Sequence, residues 1–540
     1  MKDNHCEFAV IDAETDPFLH NRVPRPFAFG YFDGNEFSPF WGDDCVDAVV
    51  AYIRKKKPAY CYAHHGGKFD FMFLLPYLEN PIRIINGRIA EARIGGTILR
   101  DSWCILPFAL AQFDKGEVDY EIFEREQRDT PENKRTILNY LRRDCTSLHA
   151  LIAAFRNRFG TKLTVASTAM GELRARHEYP NCGPDHDKRF RAFYFGGRVE
   201  CFRPGKSRGK LKLYDVNSMY PHVMREFWHP RGAKYSRFDG EDFWSQVYGK
   251  SNCYFLTVTC RSMGVFARRE KDGRLGFPRC EGTFQTTGHE FEEALRLGLI
   301  DRIGRLEAWQ CEDRIKFDSF VDDFYRERLS HKGSNRALEL ACKTVLNSAY
   351  GKFAQNPRTH TDFHIRRPTE PFPAAEDGWE VACDYAGLGE IWERPVHPDR
   401  QRFYDVAIAA SITGAARSVL MCAIHRSNRP IYCDTDSLIC EDLPGELVHA
   451  SDLGKWKCEA EFSEVFVGGK KLYACYKGKQ LIKSSAKGIQ KKELTKADWR
   501  NLIRGVEIES FNPAPNFKLD GSARFTTRRI RRTHEVQESP

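Results

Sequence analysis

The window Ile431-Tyr-Cys-Asp-Thr-Asp-Ser-Leu-Ile439 constrains this chain more than any other. Two strand-like apolar runs flank a tight Asp-Thr-Asp centre, so a hairpin is expected over Ile431–Cys440, with acids at its turn. Side chains alternate along a strand, which lets Asp434 and Asp436 point the same way. Two carboxylates about 4 Å apart repel by roughly 1 kcal/mol in water and about 4 kcal/mol at an effective dielectric of about 20. A fold has little reason to hold that pair at the end of two apolar strands without a cation. Taken alone, the window is also compatible with a solvated acidic turn.

A second acid ends an apolar strand in Leu213-Tyr-Asp215-Val-Asn-Ser-Met-Tyr220-Pro221. A lone acid there is more often a turn residue than a ligand. Three acids from two segments, however, can hold two divalent ions, which stabilise attacking and leaving oxygens in phosphoryl transfer. Magnesium suits such a set, because it takes a few carboxylates plus substrate phosphates. In the third window, Lys343-Thr-Val-Leu-Asn347-Ser-Ala-Tyr350-Gly351, the residues Lys343, Asn347 and Tyr350 fall at i, i+4 and i+7 of a helix. A cation, an amide and a ring in line can hold a triphosphate, a sugar and a base. A chance polar stripe on an amphipathic helix gives the same spacing.

A second group of acids lies near the N-terminus. Asp12 and Glu14 follow the apolar run Glu7 to Ile11, which reads as a buried strand stopping at Asp12. Asp70 follows a second strand near Cys61 to Ala63, and Tyr140 and Asp144 are i and i+4 on one helical face. That helix starts at Thr130-Pro131, with Thr130 as N-cap. Four acids and a tyrosine would make another two-metal site, here activating water.

The three polymer-end windows resemble motifs A, B and C of family B DNA polymerases, DxxSxYP, KxxxNSxYG and YxDTDS, in that order. The N-terminal acids resemble the proofreading motifs DxE, NxxxFD and YxxxD. The resemblance implies an α/β and α+β multidomain chain: an RNase H-like 3′-5′ exonuclease domain, then a right-hand palm, fingers and thumb. It implies that Asp215 and Asp436 are the principal metal ligands, with Asp434 beside them, and that two Mg2+ ions (or Mn2+) serve each active site. Lys343 would meet the incoming triphosphate, with Asn347 also on the nucleotide, Tyr350 on the nascent pair and Tyr220 rejecting a ribose 2′-OH. Asp12, Glu14, Asp70 and Asp144 would be the exonuclease ligands, with Tyr140 positioning water. Two departures stand out. Met219 precedes Tyr220 where leucine is usual, and His65 stands where the family has asparagine for gripping the frayed strand. Histidine can donate a hydrogen bond and stack on a base.

Smaller features resemble the protein-priming branch of phages and linear plasmids. These are Tyr194, Gly196 and Gly197 in YFGG, Lys471 and Tyr473 in KLY, and Leu453 to Glu459 as LGxWxxE. The first two elements are implied to contact DNA. The implied partners are primer-template DNA, dNTPs and a terminal protein whose hydroxyl primes synthesis. A polymerase confined to nucleic-acid primers, or a nuclease with a degenerate polymerase domain, are the competing readings. The expected organisation is an exonuclease domain over 1–160, a linker with the YxGG element over 161–200, and palm over 201–264. A terminal-protein-docking insertion over 265–318 and fingers over 319–357 follow. A processivity and strand-displacement insertion over 358–401, palm over 402–462, and thumb with tail over 463–540 complete it.

Composition fits this without proving it. The 540 residues allow several domains, and 41% hydrophobic with 29% charged is a globular profile. The net charge of +9 is modest; basic clusters at 54–57, 470–471 and 528–532 are either phosphate contacts or solvated faces. No continuous run of about 18 apolar residues exists, and neither a membrane span nor a secretory leader is expected. The 18 cysteines include no CxxC pair, so reduced cysteines, a cytoplasmic location and no structural zinc are expected. A monomer is expected.

Overall fold

The computed structural model describes residues 7–18, 22–113, 118–356, 359–373, 377–397, 404–486 and 494–532. Its N-terminal half is built on a ten-stranded sheet in which the strand Phe8–Thr15 lies third from one edge. That strand pairs in parallel with Tyr60–Ala63 and antiparallel with Pro26–Phe32. It does not stop at Asp12, as the apolar run suggested. Asp12 pairs with Gly30 and Glu14 with Ala28, so the strand carries both acids within it. Tyr60–Ala63 is also the fourth strand in chain order rather than the second. The helix Pro131–Phe159 packs across the sheet through Ile137, Leu141, Leu148, Ile152 and Phe155, all buried. Thr130 caps it, accepting from Asn133 N, and Gly160 ends it.

The far edge of this sheet comes from distant sequence. Thr361–Arg366, Glu380–Asp384 and Glu390–Pro395 add three strands, joined where Phe363 pairs with Ile82. Asn80 ties the seam with both ends of its amide, donating to Ile365 O at 2.7 Å and accepting from Ile365 N at 2.9 Å. Buried Tyr385 donates to Leu75 O. The expected second insertion is therefore an extension of the exonuclease sheet; its expected limits at 358 and 401 lie outside the described residues.

The second body is a seven-stranded sheet. In spatial order it runs Gln480–Ala486, Leu472–Lys477, Trp456–Gly469, Gly205–Val216, Ser437–Cys440, Tyr432–Asp434 and Val199–Cys201. The expected palm–thumb border at 462 falls inside Trp456–Gly469, and this sheet continues to Ala486. Among the described residues beyond it, the helix Lys496–Ile503 and the hairpin Ile508–Phe517/Ala523–Ile530 remain for the expected thumb. Behind the sheet lies the helix Val406–Arg426. By length and apolarity it could cross a membrane, but it is 83% buried inside the protein and serves as a core helix. Its run of alanines lets it come close to neighbours: a Cβ on Gly414 would lie 2.2 Å from Thr287 Oγ1.

Two further boundaries move. The expected first insertion starts earlier than 265, because Tyr235–Asp239 and Tyr254–Met263 share one sheet with Arg279–Thr287 and Leu306–Cys311. The expected linker is folded. Val165–Arg174 is a helix closed by a Thr164/Ser167 capping box, and Gly183–Phe190 is a helix with His186, Asp187 and Phe190 buried. Its polar sequence hid a helix that needs few buried side chains. The segment expected to be fingers forms the helices Asp318–His331 and Arg336–Phe353. They lock to the helix Pro131–Phe159 through Phe324 stacked on Phe159, and through Arg158, which grips Glu327 at 2.6 and 2.9 Å.

Candidate active sites

Strand register assembles the polymerase acids. Ser437 pairs with Asp215 and Leu438 with Tyr214, while Val216 N donates to Asp436 O at 2.8 Å. Asp215 and Asp436 therefore face one another beside the hairpin turn. That turn needs a positive φ of 61° at Thr435. Thr435 N donates to Arg198 O, and a Cβ on Gly197 would lie 2.6 Å from Thr435 Oγ1. Glycine at 197 is thus required for the Tyr194–Gly197 segment to back the turn.

Charge separates the three acids. Burial, then Asp436 and Glu459, push the Asp215 carboxyl up to about 7, with Lys483 and Lys343 opposing. Burial also raises Asp436, Asp434 adding to it and Lys471 opposing. Asp434 has its own cation: Lys471 Nζ lies 3.3 Å from its Oδ2, and Thr435 Oγ1 donates to its Oδ1. Asp215 and Asp436 are left as adjacent, mostly buried carboxylates whose charged forms are costly without a cation. That donor set fits a hard divalent ion.

The residues expected to bind nucleotide gather near these acids. Tyr220 and Tyr350 stack with ring centroids 3.7 Å apart and planes 12° apart. Lys343 is exposed and near enough to Asp215 to lower its pKa; Asn347 is half-buried on the same helix. Tyr194 is close enough to Tyr350 to raise its hydroxyl. Lys471 N donates to the Tyr432 hydroxyl, and Tyr473 packs on Tyr432 at 5.0 Å. Burial raises the Tyr473 hydroxyl, and Asp434, Glu459 and Asp215 contribute.

Four residues were not assigned from sequence. Glu459 sits in a register shift between Cys458 and Ala460, which turns it toward Asp215, and Lys483 holds it at 2.8 Å. It ends the LGxWxxE element, so a signal was present. Arg417 is buried at 2% exposure and paired with Glu290, also at 2%, through two bonds of 2.7 and 2.9 Å. Its remaining amine donates to the carbonyls of Phe195 and Gly196 at 2.5 and 2.8 Å. Glu290, in Gly288–Arg296 of the first insertion, is thereby linked to the segment behind Thr435. An arginine inside an alanine-rich run was the sequence trace of this link.

The N-terminal acids also converge. Asp12, Glu14, Asp70, Tyr140, Asp144 and His65 line one cleft of about 740 Å³. Ala13 N donates to Asp70 Oδ1, and burial raises Asp70 to about 7. The buried Cys145 thiol, next to Asp144 on the helix, is pushed well up by burial and by Asp12, Asp144, Glu14 and Asp70 together. Tyr140 shares a 3.1 Å hydrogen bond with Tyr120, and burial keeps its hydroxyl protonated. His65 has a φ of 63° and an edge-on contact with Trp103. Arg88 Nη2 lies 3.2 Å from His65 Nδ1. Arginine only donates, so Nδ1 accepts and the neutral ring carries its proton on Nε2. Burial and Arg88 hold the ring neutral. His65 thus keeps an N–H donor where the family has an amide.

The C-terminal hairpin forms the opposite wall. Asn512, Asn516, Thr526 and Arg528 line the cleft, and Phe517 meets Phe69 and Phe73 at 5.9 and 5.5 Å. Of the basic clusters, only Arg528 and Lys471 reach a site; Arg54 and Lys56 pair with Glu79 and Glu36 on the surface.

Residues 114–376 match the family model for DNA polymerase type B, organellar and viral. The DNA-directed DNA polymerase of Enterobacteria phage PRD1 is 36% identical over 98% of each chain. The DNA polymerase of Bacillus phage phi29 is 23% identical over 81% of each. The fold superposes on phi29 DNA polymerase complexed with primer-template DNA with a TM-score of 0.73, covering 97% of this chain and 99% of that one at 18% identity.

Without metal, the folded Asp215 carboxyl at about 7 binds a proton that the unfolded chain, at 3.8, has lost. Native stability therefore falls as pH rises through that window. Asp215→Asn should raise the melting temperature of metal-free protein at about pH 8 while abolishing primer extension; an unchanged or lower melting temperature contradicts the assignment. Arg417→Met strands the Glu290 charge and should cost about 3–5 kcal/mol in urea unfolding. Arg417→Met/Glu290→Leu should regain most of that stability but not the extension rate, because the Phe195 and Gly196 carbonyls stay unheld.

Proposed function

The chain belongs to the type B DNA polymerases, and from that premise we propose that it is a proofreading, protein-primed replicase of a linear phage or plasmid genome. It is a DNA-directed DNA polymerase, 36% identical over nearly its whole length to the phage PRD1 enzyme. The observation that carries the reading is the pair Asp215 and Asp436, both raised by burial and by neighbouring acids, beside an Asp434 that is ion-paired with Lys471.

Each residue then has a task. Asp215 and Asp436 would hold two magnesium ions, which bring a primer hydroxyl and a dNTP α-phosphate together and stabilise the oxygens where bonds form and break. Lys343 supplies positive charge where the triphosphate lies. Tyr220, fixed by its stack on Tyr350, fills the space a ribose 2′-OH would need. Tyr350 and Asn347 face the nascent pair. Lys471 and Tyr473 would contact the primer terminus. Catalysis here is mostly positioning and charge stabilisation.

In the N-terminal cleft, Asp12, Glu14, Asp70 and Asp144 would hold the hydrolytic metals, and Tyr140, protonated and tethered to Tyr120, would orient the attacking water. His65 Nε2–H would grip the frayed strand. The first insertion would dock the terminal protein. The second would close over the template: the hairpin tip at Gly521 packs against its Ala386, a contact that supports a closed path for DNA. Among the described residues no cysteine forms a disulfide, which suits the cytoplasm of a host cell.

Protein priming is tested by incubating the enzyme with Mg2+, labelled dNTPs and the small basic protein of a neighbouring reading frame. Covalent dNMP attachment is expected, and must vanish in Asp436→Ala; attachment to no neighbouring protein leaves a polymerase that extends only nucleic-acid primers. Proofreading is tested on single-stranded DNA. Wild type should degrade it and Asp12→Ala/Glu14→Ala should not, with primer extension retained. Equal degradation by both would move hydrolysis to another site.

A further inference from the structure

A third group of ligand-type side chains closes around the start of the Val406–Arg426 helix, away from both carboxylate clusters. Cys182 Sγ lies 3.5 Å from Asp405 Oδ2, and His186 Nε2 lies 3.1 Å from Asp405 Oδ1. One atom of each residue lies within 4.8 Å of the others. The His186 and Asp405 side chains are 5% and 2% exposed. Cys182 caps the helix Gly183–Phe190 and His186 is one turn on, so both face the same side. Asp405 already uses Oδ1 to cap its own helix, accepting from Ala407 N and Ile408 N. Its Oδ2 is turned to the thiol.

Hydrogen bonding satisfies Cys182 and His186, but not everything at this point. Among the described residues the buried Tyr235 hydroxyl has no hydrogen-bond partner. Its ring lies 5.7 Å from the ring of His186. Soft sulfur, imidazole and a single carboxylate are a zinc set rather than a magnesium set.

We propose that Cys182, His186 and Asp405 bind a zinc ion. The Cys182 thiol gives up its proton to solvent as its S–Zn bond forms, and no electron is transferred. The ion ties together the helix that leads into Tyr194–Gly197 and the helix that carries Arg417. It is a staple for the segment behind the Asp-Thr-Asp turn and takes no part in phosphoryl transfer. C-x3-H does not match the CxxC spacing by which zinc was discounted from sequence, and the third ligand lies more than 200 residues away.

Cobalt(II) in place of zinc tests this on the full chain, because only thiolate ligation gives a sulfur-to-cobalt charge-transfer band in the near ultraviolet. The expected result is one tightly held cobalt per chain with that band. The band should persist in Asp12→Ala/Asp215→Asn and vanish in Cys182→Ser. Absence of the band in folded, polymerase-active wild type overturns the proposal whatever the variants do. A band retained in Cys182→Ser also overturns it.

Discussion

The repulsion between Asp215 and Asp436 is the interaction around which the polymerase half is arranged. Ordinary solvation would separate two such groups. Here the register of Ser437 on Asp215, and the bond from Val216 N to Asp436 O, hold them in place. The sheet can impose this because its other face is packed on an apolar core. Around the pair, positive groups are set at graded distances: Lys471 on Asp434, Lys483 on Glu459, Lys343 across from Asp215. None of them directly salt-bridges Asp215 or Asp436, which keeps those two carboxylates open to a dication.

The N-terminal cleft solves the same problem with different parts. A strand supplies two acids by alternation, a short helix supplies Asp70, and a long helix supplies Tyr140 and Asp144. Its far wall is the C-terminal hairpin, so residues some 500 positions from Asp12 complete the cleft around it. The two sites are also joined through the fingers, where Phe159 stacks on Phe324 and Arg158 grips Glu327. The two carboxylate clusters thus sit on one packed frame.

Much of this was legible in the sequence because the chemistry is local. Asp434 and Asp436 announce a hairpin by alternation, and Lys343, Asn347 and Tyr350 announce a helix by spacing. What sequence missed depends on long-range approach. The Arg417–Glu290 pair joins residues 127 positions apart, and a bulge rather than a pattern turns Glu459 inward. The strand through Asp12 was cut short because apolar alternation breaks wherever a strand faces a polar cleft. Boundaries at 265 and 462 were misplaced for a related reason: strands from before and after them pair across the supposed borders. The folded segment over 161–200 escaped notice because its helices are short and the second, Gly183–Phe190, is mostly polar.

The central claim is that two separate carboxylate clusters each hold divalent ions. Anomalous diffraction from crystals grown with Mn2+, primer-template DNA and a non-hydrolysable dNTP tests it directly. Manganese peaks are expected between Asp215 and Asp436, and a second set among Asp12, Glu14, Asp70 and Asp144. Peaks that avoid Asp215 and Asp436, or that survive there in Asp215→Asn/Asp436→Asn, would contradict the account.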